Sequence, residues 1–320
     1  MTDELTTRHE LDMVPPEMQD LFRDLIKYRV DPAGDYYKVT EQALLDRIRA
    51  LNNNAVHAID PNAGDFNYAE KGKMFDPVLQ SFTLGVGGQI TTWDKSDTSM
   101  VPIVLRGITK RKEMHACRER GRDFYYIDTG YFGNGKKKTY HRITKNDVQN
   151  FGSIIDRPGD RFERTGIKPA KCRADGRRIL LAPPSQKLLN LYDIDLEQWL
   201  KQTLTEINRV TDRPVVIRRK PVRTARTSDD SMEAALSQDI YCLITFSSIA
   251  AGEAILFGKP AITLGPNAAA PLCSQSIAEI EYIKKPSLDD IHAWCRHMAY
   301  CQFTEPEMRD GTAWRILQGG

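Results

Sequence analysis

The sequence predicts an α/β protein of two units, each an open and mostly parallel sheet flanked by helices. Three observations lead there. Short apolar runs such as Val101–Arg106, Asp123–Asp128 and Cys242–Phe246 alternate with stretches of helical period. The order run, helix, run between Val101 and Asp128 is that of a βαβ unit. A second series of the same kind starts at Arg178, after an aperiodic, charged stretch from Phe151. A chain of 320 residues is long enough for two such cores.

Taken in order, Pro15-Pro16 precedes a helix over Glu17–Tyr28, and a second helix over Thr40–Leu51 carries Leu44, Leu45, Ile48 and Leu51 on one face. Asn52-Asn53-Asn54 ends it, and Ala55–Asp60 reads as a strand. The pattern is then mixed to Asp97, with a glycine-rich turn at Gly85–Gly88. Val101–Arg106 is a strand, Thr109–Arg120 a polar helix, and Asp123–Asp128 a strand. Thr129–Asn150 reads as loop-rich, and Phe151–Arg178 as the connection between units. The second unit runs through strand Arg178–Pro183, helix Leu196–Val210, strand Pro214–Arg218, a short helix Ser231–Leu236, strand Cys242–Phe246, helix Ile249–Phe257 and strand Pro260–Leu264. Helices Leu288–Tyr300 and Glu305–Leu317 close the chain. The boundary is placed at residue 170: residues 1–170 form an acceptor-binding unit and residues 171–320 a nucleotide-binding unit. The last helix is a candidate to pack back on the first unit.

Composition narrows the class. Hydrophobic content of 41% and charged content of 28% are those of a globular protein. No apolar run is long enough to span a membrane, and the start Met1-Thr-Asp-Glu-Leu is not a signal peptide. The six cysteines show no Cys-x-x-Cys pair and read as free thiols. A cytoplasmic location is expected, the host cytoplasm if the chain is phage-encoded. Net charge is only +2, but 134–178 holds thirteen Lys/Arg against five Asp/Glu, and 213–226 holds six basic residues and no acidic one. Such local excess suits a polyanion, and equally a solvated loop.

The most informative segment is Cys242–Gly265: a buried strand, Ser247-Ser248, a helix stopped by Gly258, and a strand opened by Pro260. Unpaired N–H groups at such a junction favour a phosphate, and Glu253 is placed to accept from ribose hydroxyls. The same Ser-Ser pattern is ordinary capping chemistry. No Gly-x-Gly-x-x-Gly or Gly-x-x-x-x-Gly-Lys-Ser/Thr stands at a strand end, which weighs against dehydrogenases and P-loop kinases.

These residues resemble the carboxyl half of glycosyltransferases of the two-Rossmann-domain, or GT-B, type, nearest to those of capsular-polysaccharide synthesis. Three segments carry the resemblance: Ile179–Ser185, Arg213–Pro221, and Ser247 through Pro260. The resemblance implies two Rossmann-like domains facing a cleft. It implies a nucleotide-sugar donor, expected as the UDP-linked form, held by Ser185, Arg218, Arg219, Lys220, Ser247, Ser248 and Glu253. Hexosyl or pentosyl transfer is then the reaction, with no cofactor and no obligatory metal. Arg219-Lys220 stands where the commoner pattern has x-His before the proline, so a role for that histidine has no bearer here.

Sugar transfer needs the acceptor hydroxyl oriented or deprotonated. Asp128 and Asp60 each end a strand and are the candidate catalytic carboxylates, although either also suits a capping role. His292, Cys295 and His297 stand at i, i+3 and i+5 of a helix, so the two histidines do not share a face and a zinc site is rejected. Tyr131 and Phe132 with Lys136, Lys137, Lys138 and Arg142 join aromatic rings to basic groups, which could stack on an exposed base and contact phosphates. This is similar to phage-encoded transferases acting on hydroxymethylpyrimidines in DNA. DNA is accordingly the favoured acceptor, with a surface or capsular glycan as alternative. A silent nucleic-acid-binding protein on the same scaffold is the reading from another class.

Overall fold

The computed structural model describes residues 57–59, 76–91, 100–134, 139–150, 152–219 and 231–319. The two helices expected before residue 52 lie outside that range, as do Asp60, Lys136, Lys137, Lys138 and Lys220. Two sheets organise the rest. The first comprises β1 (His57–Ile59), β2 (Gln89–Thr91), β3 (Ile103–Arg106), β4 (Phe124–Thr129), β5 (His141–Lys145) and β10 (Gln302–Phe303), in the order β10-β5-β4-β3-β1-β2. The second comprises β6 (Arg178–Leu181), β7 (Val215–Ile217), β8 (Ile240–Thr245) and β9 (Ala261–Thr263), in the order β7-β6-β8-β9.

The second sheet is parallel throughout, Leu181 pairing with Ile217 and Ile244, and Thr245 with Thr263. β8 is buried along its whole length, as its unbroken apolar run requires of a central parallel strand. Helix α5 (Leu196–Val210) turns Trp199, Leu200, Thr203 and Ile207 to the core and is capped by Asp195, which accepts from the Gln198 N–H at 2.9 Å. Helix α7 (Ala250–Leu256) lies against Trp294 of α8 (Leu288–Ala299). A side chain added at Gly252 would meet the indole at 2.9 Å.

In the first sheet, β1, β2, β3 and β4 are parallel, while β5 runs antiparallel to β4, with Thr129 opposite His141. The segment read as loop-rich thus contains a strand. β5 lacks an apolar run because Arg142, though buried, is held there by an ion pair rather than by burial of hydrocarbon. One face of this sheet packs Tyr125, Ile127 and Ile143 against α1 (Pro77–Val86), α9 (Glu305–Arg309) and α10 (Thr312–Leu317). The closing segment expected as one helix is therefore two, broken at Gly311 with φ of 80°. It lies on the first sheet, not the second. The other face packs Phe124 and Tyr126 against α2 (Arg111–Arg120), Val148 and Leu191.

Two further short helices matter for the site: α3 (Asp160–Glu163) and α4 (Gln186–Leu189), the latter directly after β6. Helix α6 (Met232–Leu236) precedes β8. The two sheets meet at particular contacts. Arg111, in the first turn of α2, donates to the Asn190 carbonyl just after α4 at 3.1 Å. Tyr131 and Phe132, beyond β4, join a core that includes Leu180, Leu243 and Trp294.

Candidate active site

The carboxyl ends of parallel strands are where open α/β sheets bind ligands, because the backbone opens there into loops that alternate with helix starts. In the second sheet these exits are polar. Ser185, exposed after β6, caps α4 by accepting from the Leu188 N–H at 3.3 Å. Arg218, half-buried after β7, is fixed by its backbone N–H, which donates to the Leu181 carbonyl at 2.8 Å. Arg219 turns away to α5 and makes a bidentate pair with Glu197 at 2.9 and 3.2 Å. That exposed pair gives Arg219 a partner other than a phosphate.

The Ser247-Ser248 junction after β8 is more closed than its sequence suggests. Ser247 is only 2% exposed, and its hydroxyl donates to the Pro266 carbonyl. It therefore joins the exits of β8 and β9, and Ser248 is the half-exposed member of the pair. The Ser248 hydroxyl accepts from the Ala250 N–H at 3.2 Å, and its carbonyl accepts from Asn267 at 2.9 Å. Asn267 is buried and also accepts from the Ala269 N–H, so one side chain staples both loops. Glu253 lies within α7 and is half-buried.

Asp128 lies at the carboxyl end of β4. Its Oδ2 accepts from the Tyr126 hydroxyl at 2.7 Å and from Arg142 at 3.3 Å, and its Oδ1 accepts from the Thr129 N–H at 2.7 Å. Arg142 also donates to the Thr129 and Val148 carbonyls. Burial works against its charge, but Asp128 and the Tyr126 and Tyr131 rings hold the guanidinium protonated above its ordinary range. Burial likewise pushes the Tyr126 phenol well up, so it is a donor to Asp128 at all working pH values. Asp128 is thus an oriented carboxylate, with more than a third of its side chain still open to solvent.

Of the aromatic and basic group expected to grip a base, the described members, Tyr131, Phe132 and Arg142, are turned to other uses. Tyr131 and Phe132 are 4% and 6% exposed, the Phe132 ring lying edge-on to Phe162 and Trp294. Arg142 is bound to Asp128. Neither ring has a free face for stacking. The reason is that the chain beyond β4 plugs the gap between the sheets, so its apolar side chains are needed for the core.

Sequence reasoning missed three residues around the junction. Gln149 donates to the Ser247 carbonyl at 3.0 Å, Tyr192 lays its ring edge-on against Phe246, and Asn267 makes the staple above. Asn267 was findable, since it follows a strand as Ser247 does. Gln149 was not, because the strand it follows, β5, reads as loop in the sequence. A cavity of about 10 Å³ beside Asn150, Ala268 and Trp294 is far below the ~300 Å³ of a typical ligand pocket.

Among the described residues no group of three His, Cys, Asp or Glu is placed to hold a metal. His297 is buried, which pushes its ring below the ordinary value, and its Nδ1 accepts from the Ile155 N–H at 2.8 Å. Burial also pushes the Cys295 thiol up to about 12. No described helix is long and apolar enough to cross a membrane.

No family model and no curated protein matches the chain. Among solved structures it is similar to the KpsC β Kdo 2,4 transferase of Thermosulfurimonas dismutans, at 14% identity and a TM-score of 0.46, over 80% of this chain and 94% of that one. It is also similar to the β Kdo 2,7 transferase of the same organism's KpsC, at 12% identity and a TM-score of 0.40, over 82% and 99% of the two chains. Likenesses this distant leave the chemistry of the site to its own residues.

Proposed function

We propose that the chain is a glycosyltransferase that moves a sugar from a nucleotide-sugar donor to a hydroxyl of a glycan. The observation that carries the reading is the set of polar exits at the carboxyl ends of β6, β7, β8 and β9, the last two stapled together by Asn267 and Ser247. In this reading Arg218 and Ser248 meet the donor phosphates, Glu253 meets ribose, Ser185 lines the rim, and Ser247 shapes the junction. A cationic group at the phosphate stabilises the leaving nucleotide as negative charge develops. Asp128 orients or deprotonates the acceptor hydroxyl from the exit of β4.

A glycan is preferred to DNA as acceptor for two physical reasons. The rings offered to a base are buried. Five members of the basic excess are also answered by carboxylates from elsewhere: Lys145 by Asp123, Arg161 by Glu307, Arg177 by Asp239, Arg213 by Glu281 and Arg219 by Glu197.

The test is mass spectrometry of acceptor glycans after incubation with a panel of nucleoside mono- and diphosphate sugars that includes UDP-hexoses, UDP-pentoses and a Kdo donor. A glycosyl mass gain on one acceptor supports the reading and names the donor. Transfer to hydroxymethylated DNA instead would restore the DNA acceptor. Absence of transfer and of nucleotide release from every donor would reject the enzyme.

A further inference from the structure

A second cavity, of about 170 Å³, opens at the edge of the first sheet among Tyr140, Arg161, Arg164, Gln302, Thr304 and Glu307. That is smaller than the ~300 Å³ of a typical ligand pocket, so it suits the end of a larger ligand rather than the whole of one. Its place follows from the strand register. His141 stands opposite Thr129 at the end of β4 and opposite Phe303 of β10, so Tyr140 and Thr304 lie just beyond the carboxyl ends of those two strands. That is the side of the sheet on which Asp128 also lies.

The polar groups divide into those already engaged and those open. Gln302 is turned inward, accepting from the Tyr131 and Phe132 N–H groups. Thr304 and Glu307 form a capping box at the start of α9. Arg161, 7% exposed, gives its Nε to the Ala299 carbonyl, one Nη to the Gln302 carbonyl and Glu307, and the other Nη to Glu307. A guanidinium has five N–H donors. These bonds leave one of them, on a buried side chain that lines the cavity, without an acceptor among the described residues. Among the described residues the Arg164 side chain makes only a long 3.8 Å ion pair with Asp160, both side chains being 61% exposed, a contact of little strength in water. The Tyr140 hydroxyl has no hydrogen-bond partner among the described residues. Glu307 is neutralised by Arg161, so the charge left facing the cavity is that of Arg164.

We propose that this cavity is a binding site for a saccharide bearing a carboxylate, with Arg164 reading the anion and the Tyr140 ring and hydroxyl holding the sugar. A planar guanidinium matches a carboxylate in two parallel hydrogen bonds, and the spare N–H of Arg161 supplies a further donor from the cavity floor. Calling this saccharide the acceptor rests on the transferase reading above; its binding does not.

The experiment is a calorimetric or saturation-transfer titration of the intact chain with a glucuronate-containing disaccharide, its neutral glucose counterpart, and inorganic phosphate. The wild-type chain should prefer the acidic disaccharide, and Arg164→Gln should weaken that binding about tenfold, the loss of one charged hydrogen bond, while leaving the neutral one unchanged. Tyr140→Ala should weaken both disaccharides. Thermal melting of each variant checks that the fold is kept, and Arg164→Gln is chosen because that residue is exposed. Equal binding of acidic and neutral sugars, no binding of either, an unchanged preference in Arg164→Gln, or phosphate binding as tightly as the acidic disaccharide would overturn the proposal. Donor titration of the same sample is independent. Acidic saccharide bound with no nucleotide sugar bound would leave this site standing and remove the transferase.

Discussion

At the scale of single residues, Asp128 is held by the fold and is also the carboxylate proposed to act on the acceptor. Its variants should separate the two roles. Asp128→Asn keeps the shape but removes the charge facing Arg142, and should lower stability by about 1.5–3 kcal/mol, the worth of a hydrogen bond to a charged group. If Asp128 also acts on the acceptor, turnover should fall on the order of 100- to 10,000-fold at a temperature where the variant is fully folded. Denaturant melts beside initial rates separate the two. A destabilised variant with normal turnover assigns Asp128 to structure alone. Glu307 is the purely structural counterpart. Burial raises its carboxyl, but hydrogen bonds from Arg161 and Thr304 more than offset this and hold it below the ordinary value. A depressed folded-state value adds stability above the unfolded value of about 4.3. That stability is lost as pH falls through the folded value. Glu307→Gln should therefore lose about 3–5 kcal/mol near neutral pH, the cost of leaving Arg161 buried and unpaired, and show a flatter decline in acid than the wild-type chain.

At the scale of elements, what could be read from the sequence was what burial dictates locally. β8 and α5 were legible because a continuous apolar run and a helical stripe survive in the residue order. β5 and β10 were not. β5 owes its place to the Arg142–Asp128 pair and β10 to Gln302 pinning the chain beyond β4, and both partners are far away in sequence. Helix α1 was hidden because Gly85 and Gly87 read as a turn. Gly87 does end the helix, in the left-handed region at φ 64°. Gly85 serves another purpose: a methyl there would stand 1.8 Å from the Met308 carbonyl of α9. Gly85→Ala should force α1 and α9 apart, with a loss of about 1–3 kcal/mol or more by chemical denaturation. A neutral result would mean that the closing helices do not seat on α1. The candidate donor residues were legible to the level of the strand exit. Which hydroxyl of Ser247-Ser248 is open was not, because the Pro266 carbonyl that takes the Ser247 hydroxyl comes from a neighbouring strand.

At the scale of the whole molecule, the polar exits of the second sheet and the exit of β4 are the proposed donor and acceptor positions, and the Tyr131 and Phe132 rings are buried in a core shared with the second sheet rather than on a surface. Charge follows the same logic. The basic excess of 134–178 is local in sequence, but several of its members are paired in space. Fluorescence anisotropy with duplex or single-stranded DNA at low salt should accordingly show no binding. Binding that falls with a log–log slope near 0.9 per phosphate on duplex DNA would revive the polyanion reading. The central claim, a nucleotide sugar at the exits of β6 to β9, is tested most directly by calorimetric titration of the intact chain with a donor panel, repeated on Arg218→Ala. The account predicts one saturable site for at least one nucleotide sugar, weakened by about 1.5–3 kcal/mol in the variant. No binding by any donor to the folded chain, or an affinity unchanged by Arg218→Ala, would contradict it.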